Sequence, residues 1–173
     1  MAQIEYKDLP SIRKRHQNET IVFASGGFDL AHAGHVLFFE DCKKQGDVLV
    51  VAIPDDEIIK RDKGEKRPIL NQYLRIKMVG SLKPVDYVFF DRAEYLKDVP
   101  EGSHSLHVLG NYFAALHPDK YVVNEDAFDI PYRKELVKKH GVELIVLERW
   151  FPPEFEGIST TKIIKKLKNG ESI

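Results

Sequence analysis

Two histidines stand three residues apart, directly after a short apolar run and a pair of glycines. His32 and His35 follow Gly26 and Gly27. Residues three apart in the first turn of a helix lie on one side of it, so both imidazoles can meet one ligand. The free N–H groups and positive dipole end of that helix attract phosphate. The pattern predicts a triphosphate clamp with the candidate residues Gly26, Gly27, Phe28, Asp29, His32, Gly34 and His35.

The histidine pair has two simpler interpretations, which are half of a metal site and a surface pair without a role. Gly34 favours the phosphate interpretation, because a residue without a side chain leaves room for an oxygen atom against the backbone. The turn is neither the dinucleotide GxGxxG pattern nor a Walker A loop, which needs Gly-Lys followed by Ser or Thr. A nucleotide bound here would therefore be held differently from either.

Three consecutive hydroxyl residues, Ser159, Thr160 and Thr161, precede a helical segment near the end of the chain. The simplest interpretation is an N-capped amphipathic helix with residues such as Ile163 facing the core. The same hydroxyls, together with the free N–H groups of a helix N-terminus, also form an anion site. We expect this segment to hold the β- and γ-phosphates of a triphosphate.

A third segment, residues 60–68, carries five basic residues among nine. Charge alone favours a solvated loop with no ligand. The segment follows an apolar run of strand length, Val48 to Ile53, so it can also lie at the edge of a sheet where ligands bind.

Apolar runs of strand length alternate with helical segments along the chain. Strands are predicted at residues 21–24, 48–53, 87–90, 121–123 and 142–147, and helices near 35–45, 71–81, 131–140 and 160–169. This alternation predicts an α/β fold, a Rossmann-like doubly wound parallel sheet of about five strands in a single domain. Ligands of such sheets bind at the carboxyl ends of the strands, where strand order reverses. We expect the three segments to meet there.

Length and charge restrict the classes of protein. A chain of 173 residues with 43% apolar composition is expected to form one domain, placed at residues 20–173 after an N-terminal arm of residues 1–19. The 26 basic and 27 acidic side chains nearly cancel, which argues against a nucleic-acid partner. No apolar run approaches the ~20 residues of a membrane span, and the first residues are too polar for a signal peptide. These features predict a cytoplasmic protein with no membrane partner.

Thiol and metal chemistry have little support in the sequence. Cys42 is the single cysteine, so it has neither a disulfide partner nor a CxxC companion. Three further histidines, His104, His107 and His117, match no ligand spacing of a metal site. We therefore expect no metal ion held by protein ligands.

The segment His32-Ala33-Gly34-His35 has the HxGH pattern of the cytidylyltransferase-like nucleotidyltransferase superfamily, which this chain resembles over about residues 20–168. The stretch from Lys60 to Pro68 and the run from Ile158 to Thr161 are similar to segments of the same superfamily. In motif the chain is closest to heptose-1-phosphate adenylyl- and guanylyltransferases and to glycerol-3-phosphate cytidylyltransferase. The resemblance implies transfer of a nucleoside monophosphate from a triphosphate to a phosphorylated small molecule, with release of pyrophosphate.

The same resemblance implies roles for individual side chains. His32, His35 and Lys63 would be catalytic, with the histidines donating hydrogen bonds to the transferred phosphoryl group. That role predicts activity that falls as the histidines lose their protons, unless bound phosphate raises their pKa values. Further nucleotide or phosphate contacts would come from Asp56, Arg75, Asp126 and Lys162.

Several implications stay open at the level of the sequence. Arg75 can equally be an exposed helical arginine. Mg²⁺ is expected to enter with the triphosphate and to bridge its oxygens mainly through water. A homodimer follows by analogy with the superfamily, with Tyr112 and Phe113 expected on an apolar surface loop.

The motifs do not specify the nucleobase or the acceptor. A glycerol-3-phosphate-type cytidylyltransferase and an archaeal-type FAD synthetase share parts of the pattern. A nucleotide-binding regulatory relative without turnover is the alternative outside the enzymes, and the intact histidine pair and hydroxyl segment argue against it.

Overall fold

The computed structural model describes residues 2–96, 105–155 and 158–171. Its strands are β1 (Ala2–Gln3), β2 (Ile21–Ser25), β3 (Val48–Pro54), β4 (Tyr87–Asp91), β5 (Lys120–Asn124) and β6 (Glu143–Leu147). Its α-helices are α1 (Leu9–Arg15), α2 (Ala33–Lys43), α3 (Asp56–Lys63), α4 (Gln72–Gly80), α5 (Leu109–Leu116), α6 (Ile130–His140) and α7 (Thr160–Asn169). Short 3-10 helices occupy Tyr6–Asp8, Ala93–Leu96, Ser105–Val108 and Pro153–Phe155.

The strands form one parallel sheet in the order β1-β4-β3-β2-β5-β6. The order runs outward from β2 through β3 to β4, and the chain then returns to place β5 on the other side of β2. Strand order therefore reverses between β2 and β5, and the carboxyl ends of these strands open a crevice. The predicted α/β class and doubly wound parallel sheet are confirmed.

The sheet has six described strands instead of about five. The additional strand is β1, which pairs with β4 through Ala2 and Gln3. Two residues are too short to show a strand pattern in the sequence, so only pairing with β4 reveals them. The segment predicted as an N-terminal arm also supplies α1, whose Leu9 and Ile12 are buried in the core. Within the described structure, β1 thus pairs with the sheet and α1 packs on its core.

Helices cover both faces of the sheet, and each face has its own apolar core. Helices α1, α5 and α6 pack on one face, where Phe23, Phe89 and Tyr121 are central. Helices α2 and α4 pack on the other face, where Phe39 and Val51 are buried. Side chains alternate between the two faces of a strand, so the last residue of each strand points to one face of the sheet at the edge of the crevice.

Tyr112 and Phe113, expected on a surface loop, lie in α5 and are 0% and 1% exposed. The prediction of an apolar surface there is wrong. Both rings contact Phe23 of β2, with ring centroids 6.3 Å and 5.7 Å away. These aromatic residues form the core between α5 and the sheet, so they offer no contact to a second subunit.

Candidate active site

The carboxyl ends of the central strands open into one cleft of about 710 Å³. Most of the predicted site residues line it, although they come from the turn after β2, the start of α2, α3, the segment after β5 and the start of α7. The predicted residues that line the cleft are Gly26, Gly27, Phe28, Asp29, His32, Gly34, His35, Lys63, Asp126, Ser159, Thr160 and Thr161. The described lining does not include Asp56, Arg75 or Lys162.

His32 and His35 stand at the start of α2 with their rings stacked against each other. The ring centroids are 3.9 Å apart and the planes differ by 24°. His32 is the N-cap, and its backbone N–H donates to Nδ1 of His35 over a long 3.4 Å. Because Nδ1 of His35 accepts a hydrogen bond, the proton of the neutral ring lies on Nε2. Nε2 is therefore the hydrogen-bond donor that His35 offers to a ligand.

Burial and neighbouring cations keep both histidines neutral in the free protein. Burial lowers the pKa of His35 to about 3, and the charges of His32, Arg149 and Lys63 act in the same direction. Burial, followed by the charge of Arg149, lowers the pKa of His32 as well. The cleft therefore presents mainly neutral imidazoles at neutral pH, and a bound anion would favour their protonated forms.

Close packing around the histidines explains the small and aromatic residues of the turn. The ring of Phe28 contacts His35 edge to face with centroids 5.4 Å apart. A Cβ atom on Gly34 would lie only 3.0 Å from Cε1 of His32 and 3.0 Å from Cε1 of Phe151. In the free protein the space beside Gly34 is thus filled by these two side chains. Nδ1 of His32 is buried and has no hydrogen-bond partner among the described residues.

Asp29 borders the cleft, but its carboxylate is directed towards protein groups and holds the turn in place. It is 4% exposed, and its carboxylate accepts hydrogen bonds from the backbone N–H groups of Ile69 and Leu70, each at 2.9 Å. Arg67 adds an ion pair at 2.8 Å, and the Asp29 carbonyl accepts from the Thr160 hydroxyl at 2.7 Å. Its carboxylate oxygens are therefore occupied by protein donors, and we assign it a positioning role in place of the predicted nucleotide contact.

The surroundings of Asp29 also fix its charge. Burial by itself would raise the pKa of the carboxyl group. The N–H groups of Ile69 and Leu70 and the guanidinium of Arg67 outweigh burial, so the pKa lies below its ordinary value. Asp29 thus stays ionised and keeps its partners at neutral pH.

Arg75 is 0% exposed, so it is not an exposed helical arginine, and its guanidinium faces protein groups. Its guanidinium donates to the carbonyl oxygens of Gly27 at 3.0 Å and Pro54 at 2.7 Å. It also pairs with Asp56 at 2.8 Å, which explains why Asp56 does not line the cleft. Arg75 ties the ends of β2 and β3 together beneath the site, and we call Asp29, Asp56, Arg67 and Arg75 the buried latch.

Lys63 is the last residue of α3 and reaches the histidine turn from the opposite wall. A Cβ atom on Gly27 would lie 3.6 Å from its Nζ atom. Burial lowers the pKa of the Lys63 ammonium group, and the charge of Arg67 lowers it further. The charge of Asp29 acts in the opposite direction. The structure thus places the lysine and the histidines around one space.

The hydroxyl segment begins α7 on the rim of the same cleft. Ser159 is the N-cap, and its hydroxyl accepts from the backbone N–H of Lys162 at 3.3 Å. The Thr160 hydroxyl is committed to Asp29, which leaves Thr161 as an exposed hydroxyl of the cleft lining. Lys162 is exposed on α7 away from that lining, and Gly157 lies outside the described residues.

Arg149 belongs to the site although the sequence motifs do not include it. It lines the cleft directly after β6, and its guanidinium pairs with Asp126 at 2.8 Å. Burial is the largest cause of the lowered pKa values of His32 and His35, and the charge of Arg149 lowers both further. A basic residue at the carboxyl end of a predicted strand is the signal that could have found it.

The described residues contain no group of three or more His, Cys, Asp or Glu side chains that could hold a metal ion. His104 lies outside the described residues. The imidazole, ammonium, guanidinium and hydroxyl groups around the histidine turn can all donate hydrogen bonds to phosphate oxygens.

The fold and the site together define an α/β nucleotidyltransferase domain. The family model described as cytidylyltransferase-like matches residues 23–166. The chain belongs to the cytidylyltransferase-like family. This match spans all three predicted segments, from the histidine turn to α7.

Similar proteins place the chain more narrowly within that family. It is 35% identical over 158 residues to the bifunctional protein HldE of Pseudomonas fluorescens (strain SBW25), covering 91% of this chain and 30% of the relative. It is 34% identical over 168 residues to the HldE of Campylobacter jejuni subsp. jejuni serotype O:2, covering 96% of this chain and 32% of the relative. The chain thus spans about a third of the length of these relatives.

Solved structures agree with the family. The lipopolysaccharide core biosynthesis protein of Thermoplasma volcanium GSS1 is 27% identical, with a TM-score of 0.56 over 78% of this chain and 98% of that chain. A pantoate-beta-alanine ligase of Francisella tularensis has a TM-score of 0.67 at 20% identity, over 96% of this chain and 77% of that chain. The second likeness shows the fold alone.

Proposed function

We propose that the chain transfers a nucleoside monophosphate from a nucleoside triphosphate to a sugar phosphate such as heptose 1-phosphate, releasing pyrophosphate. The observation that carries this proposal is the convergence of His32, His35 and Lys63 with the hydroxyl segment of α7 around one cleft. Nucleotidyl transfer depends mostly on positioning and electrostatic stabilisation, which such a set of donors supplies. The likeness to HldE proteins and to a lipopolysaccharide core biosynthesis protein supports a sugar phosphate as the acceptor.

In the proposed reaction an oxygen of the acceptor phosphate attacks the α-phosphorus of the triphosphate. The new oxygen–phosphorus bond forms as the bond from the α-phosphorus to its bridging oxygen breaks, and pyrophosphate leaves with that oxygen. The ring nitrogens of His32 and His35 donate hydrogen bonds to the oxygens on which charge develops. Lys63 neutralises the attacking or leaving phosphate. No covalent intermediate on the protein is required.

The start of α7 would hold the leaving pyrophosphate. Ser159, Thr161 and the free N–H groups of the helix face the cleft rim, where a helix N-terminus favours anions. Mg²⁺ would enter with the triphosphate and neutralise its phosphate oxygens. The protein would then need only to orient the two phosphorylated partners and exclude water.

Pyrophosphate release from a panel of ATP, CTP and GTP with phosphorylated acceptors tests the proposal. We expect release with one triphosphate and a sugar phosphate, and a nucleoside-diphosphate sugar as the second product. Preference for glycerol 3-phosphate or FMN would identify the cytidylyltransferase or FAD synthetase alternative. Tight triphosphate binding without release in any combination would overturn the proposal in favour of a regulatory relative.

We further propose a homodimer in the cytoplasm that acts on small molecules without nucleic acid. The dimer rests on analogy alone, since Tyr112 and Phe113 are core residues. None of the described helices is long and apolar enough to cross a membrane. A mass of one chain in light scattering would remove the dimer from the proposal.

A further inference from the structure

The cleft contains a second polar cluster that the proposed phosphate chemistry does not use. Ser25 ends β2 and Asp91 ends β4, and both side chains lie on the face of the sheet that carries α5 and α6. The stacked histidines lie on the other face, where Phe28 packs with α2. The two sides of one cleft therefore have different chemistry.

Arg133 supplies the positive charge of this second cluster. It is 8% exposed, yet it lines the cleft from the first turn of α6. Its guanidinium donates to the Phe128 carbonyl at 2.8 Å and to the Tyr121 hydroxyl, and the Tyr121 hydroxyl lies 3.1 Å from Oγ of Ser25. None of the ion pairs formed among the described residues includes Arg133. A buried guanidinium without a carboxylate partner retains donor capacity for a ligand.

Asp91 supplies the acceptor of the cluster. It is 7% exposed and lines the same cleft, and one of its oxygens accepts a 2.5 Å hydrogen bond from the Tyr112 hydroxyl. Burial raises its pKa to about 7; Tyr112 opposes this shift, while the charges of Asp55 and Asp62 add to it. The charge of Asp91 also acts on the Tyr121 hydroxyl, to which Arg133 donates a hydrogen bond, so both groups lie near the same tyrosine. A buried carboxylate of this kind can accept hydrogen bonds from a ligand, although burial makes its ionised form unfavourable.

A cluster that contains both hydrogen-bond donors and acceptors suits a polyhydroxylated ligand better than a phosphate. A carboxylate accepts bonds from two hydroxyls, while a guanidinium and a serine hydroxyl donate to sugar oxygens. Leu106 and Leu109 complete this part of the lining with apolar surface for the C–H face of a sugar ring.

We propose that Asp91 and Arg133, with Ser25, bind the hydroxyl groups of the acceptor and so select a sugar phosphate over a simpler phosphorylated molecule. This inference rests on the proposed function and assigns the sugar-recognising part of its cleft. The acceptor would lie with its phosphate towards Lys63 and its hydroxyl groups on the face of α5 and α6. Nucleotide binding would stay with the histidine side.

The test compares heptose 1-phosphate with methyl phosphate, which has the same attacking group and no sugar. It uses the wild type, Asp91→Asn and Arg133→Gln at about pH 8, where Asp91 is ionised. We expect each variant to lose roughly tenfold to a hundredfold in kcat/KM for heptose 1-phosphate, the usual effect of a charged hydrogen bond. The rate with methyl phosphate and the KM for the triphosphate should stay unchanged.

Lys134→Gln is the matched control, because Lys134 is the exposed neighbour of Arg133 on α6. Circular dichroism checks folding, and Ser25→Ala replaces Arg133→Gln if the latter does not fold. Equal losses with both acceptors, or no loss with either, would overturn the assignment of the sugar site. Calorimetric binding of heptose 1-phosphate runs in parallel, because binding does not require turnover. If the wild type releases no pyrophosphate but binding weakens in Asp91→Asn, the proposed reaction fails and the sugar site stands.

Discussion

Two groups of polar residues meet at the turn after β2, and they face in opposite directions. His32, His35 and Lys63 line the cleft, and Nδ1 of His32 is a buried polar atom without a hydrogen-bond partner among the described residues. Asp29 and Arg75 of the buried latch point into the protein, where carbonyl oxygens, N–H groups and carboxylates surround them. Both groups belong to the same sequence motifs, and the same resemblance implied ligand contacts for both.

The difference separates residues that act on a ligand from residues that hold the acting ones. A satisfied hydrogen-bond network stabilises the fold and loses energy when one member is removed. An unsatisfied group in a cleft contributes little to stability and is available to a substrate. Variants of the two groups should therefore fail in different measurements.

The largest expected effect comes from the cleft side. His35→Ala removes the Nε2–H donor, and kcat for pyrophosphate release should fall on the order of 10²- to 10⁴-fold. His32→Ala should behave similarly. Both proteins should keep wild-type circular dichroism and urea midpoints, since the described structure shows few hydrogen bonds from these rings to the protein.

His117→Asn is the control for a histidine substitution. His117 is exposed and has a φ of 47°, a left-handed conformation that asparagine also adopts. Near-normal turnover in a folded His35→Ala protein would contradict the role of the histidine pair and erase the contrast with the latch.

The latch should fail in stability before it fails in chemistry. Arg75→Met leaves the Asp56 carboxylate and the Gly27 and Pro54 carbonyls without their donor, so the free energy of unfolding should fall by about 3 kcal/mol. Urea denaturation measures this change. Arg92→Met, at an exposed arginine next to β4, should change it by no more than about 0.5 kcal/mol. If Arg75→Met loses kcat alone and keeps its stability, Arg75 contacts the ligand after all.

Asp91 sharpens the comparison, because its burial in the cleft lowers stability. Its folded pKa of about 7 lies above the ordinary value, so the folded state binds the proton more tightly than the unfolded state. The stabilisation from this group is complete below about pH 4 and is lost as pH rises to about 7. At about pH 8 Asp91→Asn should therefore be more stable than the wild type by about 1–2 kcal/mol, and the difference should shrink at about pH 5.

Thermal melts across this pH range measure the Asp91 effect. Asp41→Asn, at a cleft residue with an ordinary surface ion pair to Lys44, is the control and should show no such trend. If the wild type is more stable than Asp91→Asn at high pH, Asp91 stabilises the fold as the buried latch does, and the prediction is wrong.

The smallest effect concerns protons taken up with the nucleotide. Burial holds the pKa values of His32 and His35 below the ordinary value in the free protein, and bound phosphates favour their charged forms. Binding a non-hydrolysable triphosphate should therefore take up a fraction of a proton near pH 6, and affinity should rise as pH falls by less than tenfold per unit. Calorimetry in buffers of different ionisation enthalpy measures the uptake. An uptake unchanged in the double variant His32→Asn, His35→Asn would assign it to other groups.

Local patterns predicted the elements whose causes are local. The turn after β2, the histidine pair at the start of α2 and the Ser159 cap of α7 depend on neighbours within a few residues, and all three are present. The two-residue strand β1 depends on pairing with Tyr87 and Val88 of β4, so no window of the sequence contains its cause. The same holds for Tyr112. The sequence around it predicts a surface loop, and only the packing of α5 on the sheet makes it a core residue.

The sequence by itself determined the family, the α/β sheet and the residues that gather at the carboxyl ends of its strands. The spacing of the motifs and the order of the predicted strands along the chain decide these features. Only the tertiary structure decided which of those residues face the cleft. Asp29 and Arg75 turn inward because their partners, Leu70 and Pro54 among others, come from separate segments of the chain. Arg133 and Asp91 come to line one cleft only because α6 and β4 both border it. The direction of a side chain depends on contacts between distant segments, and such contacts exist only after the chain has folded.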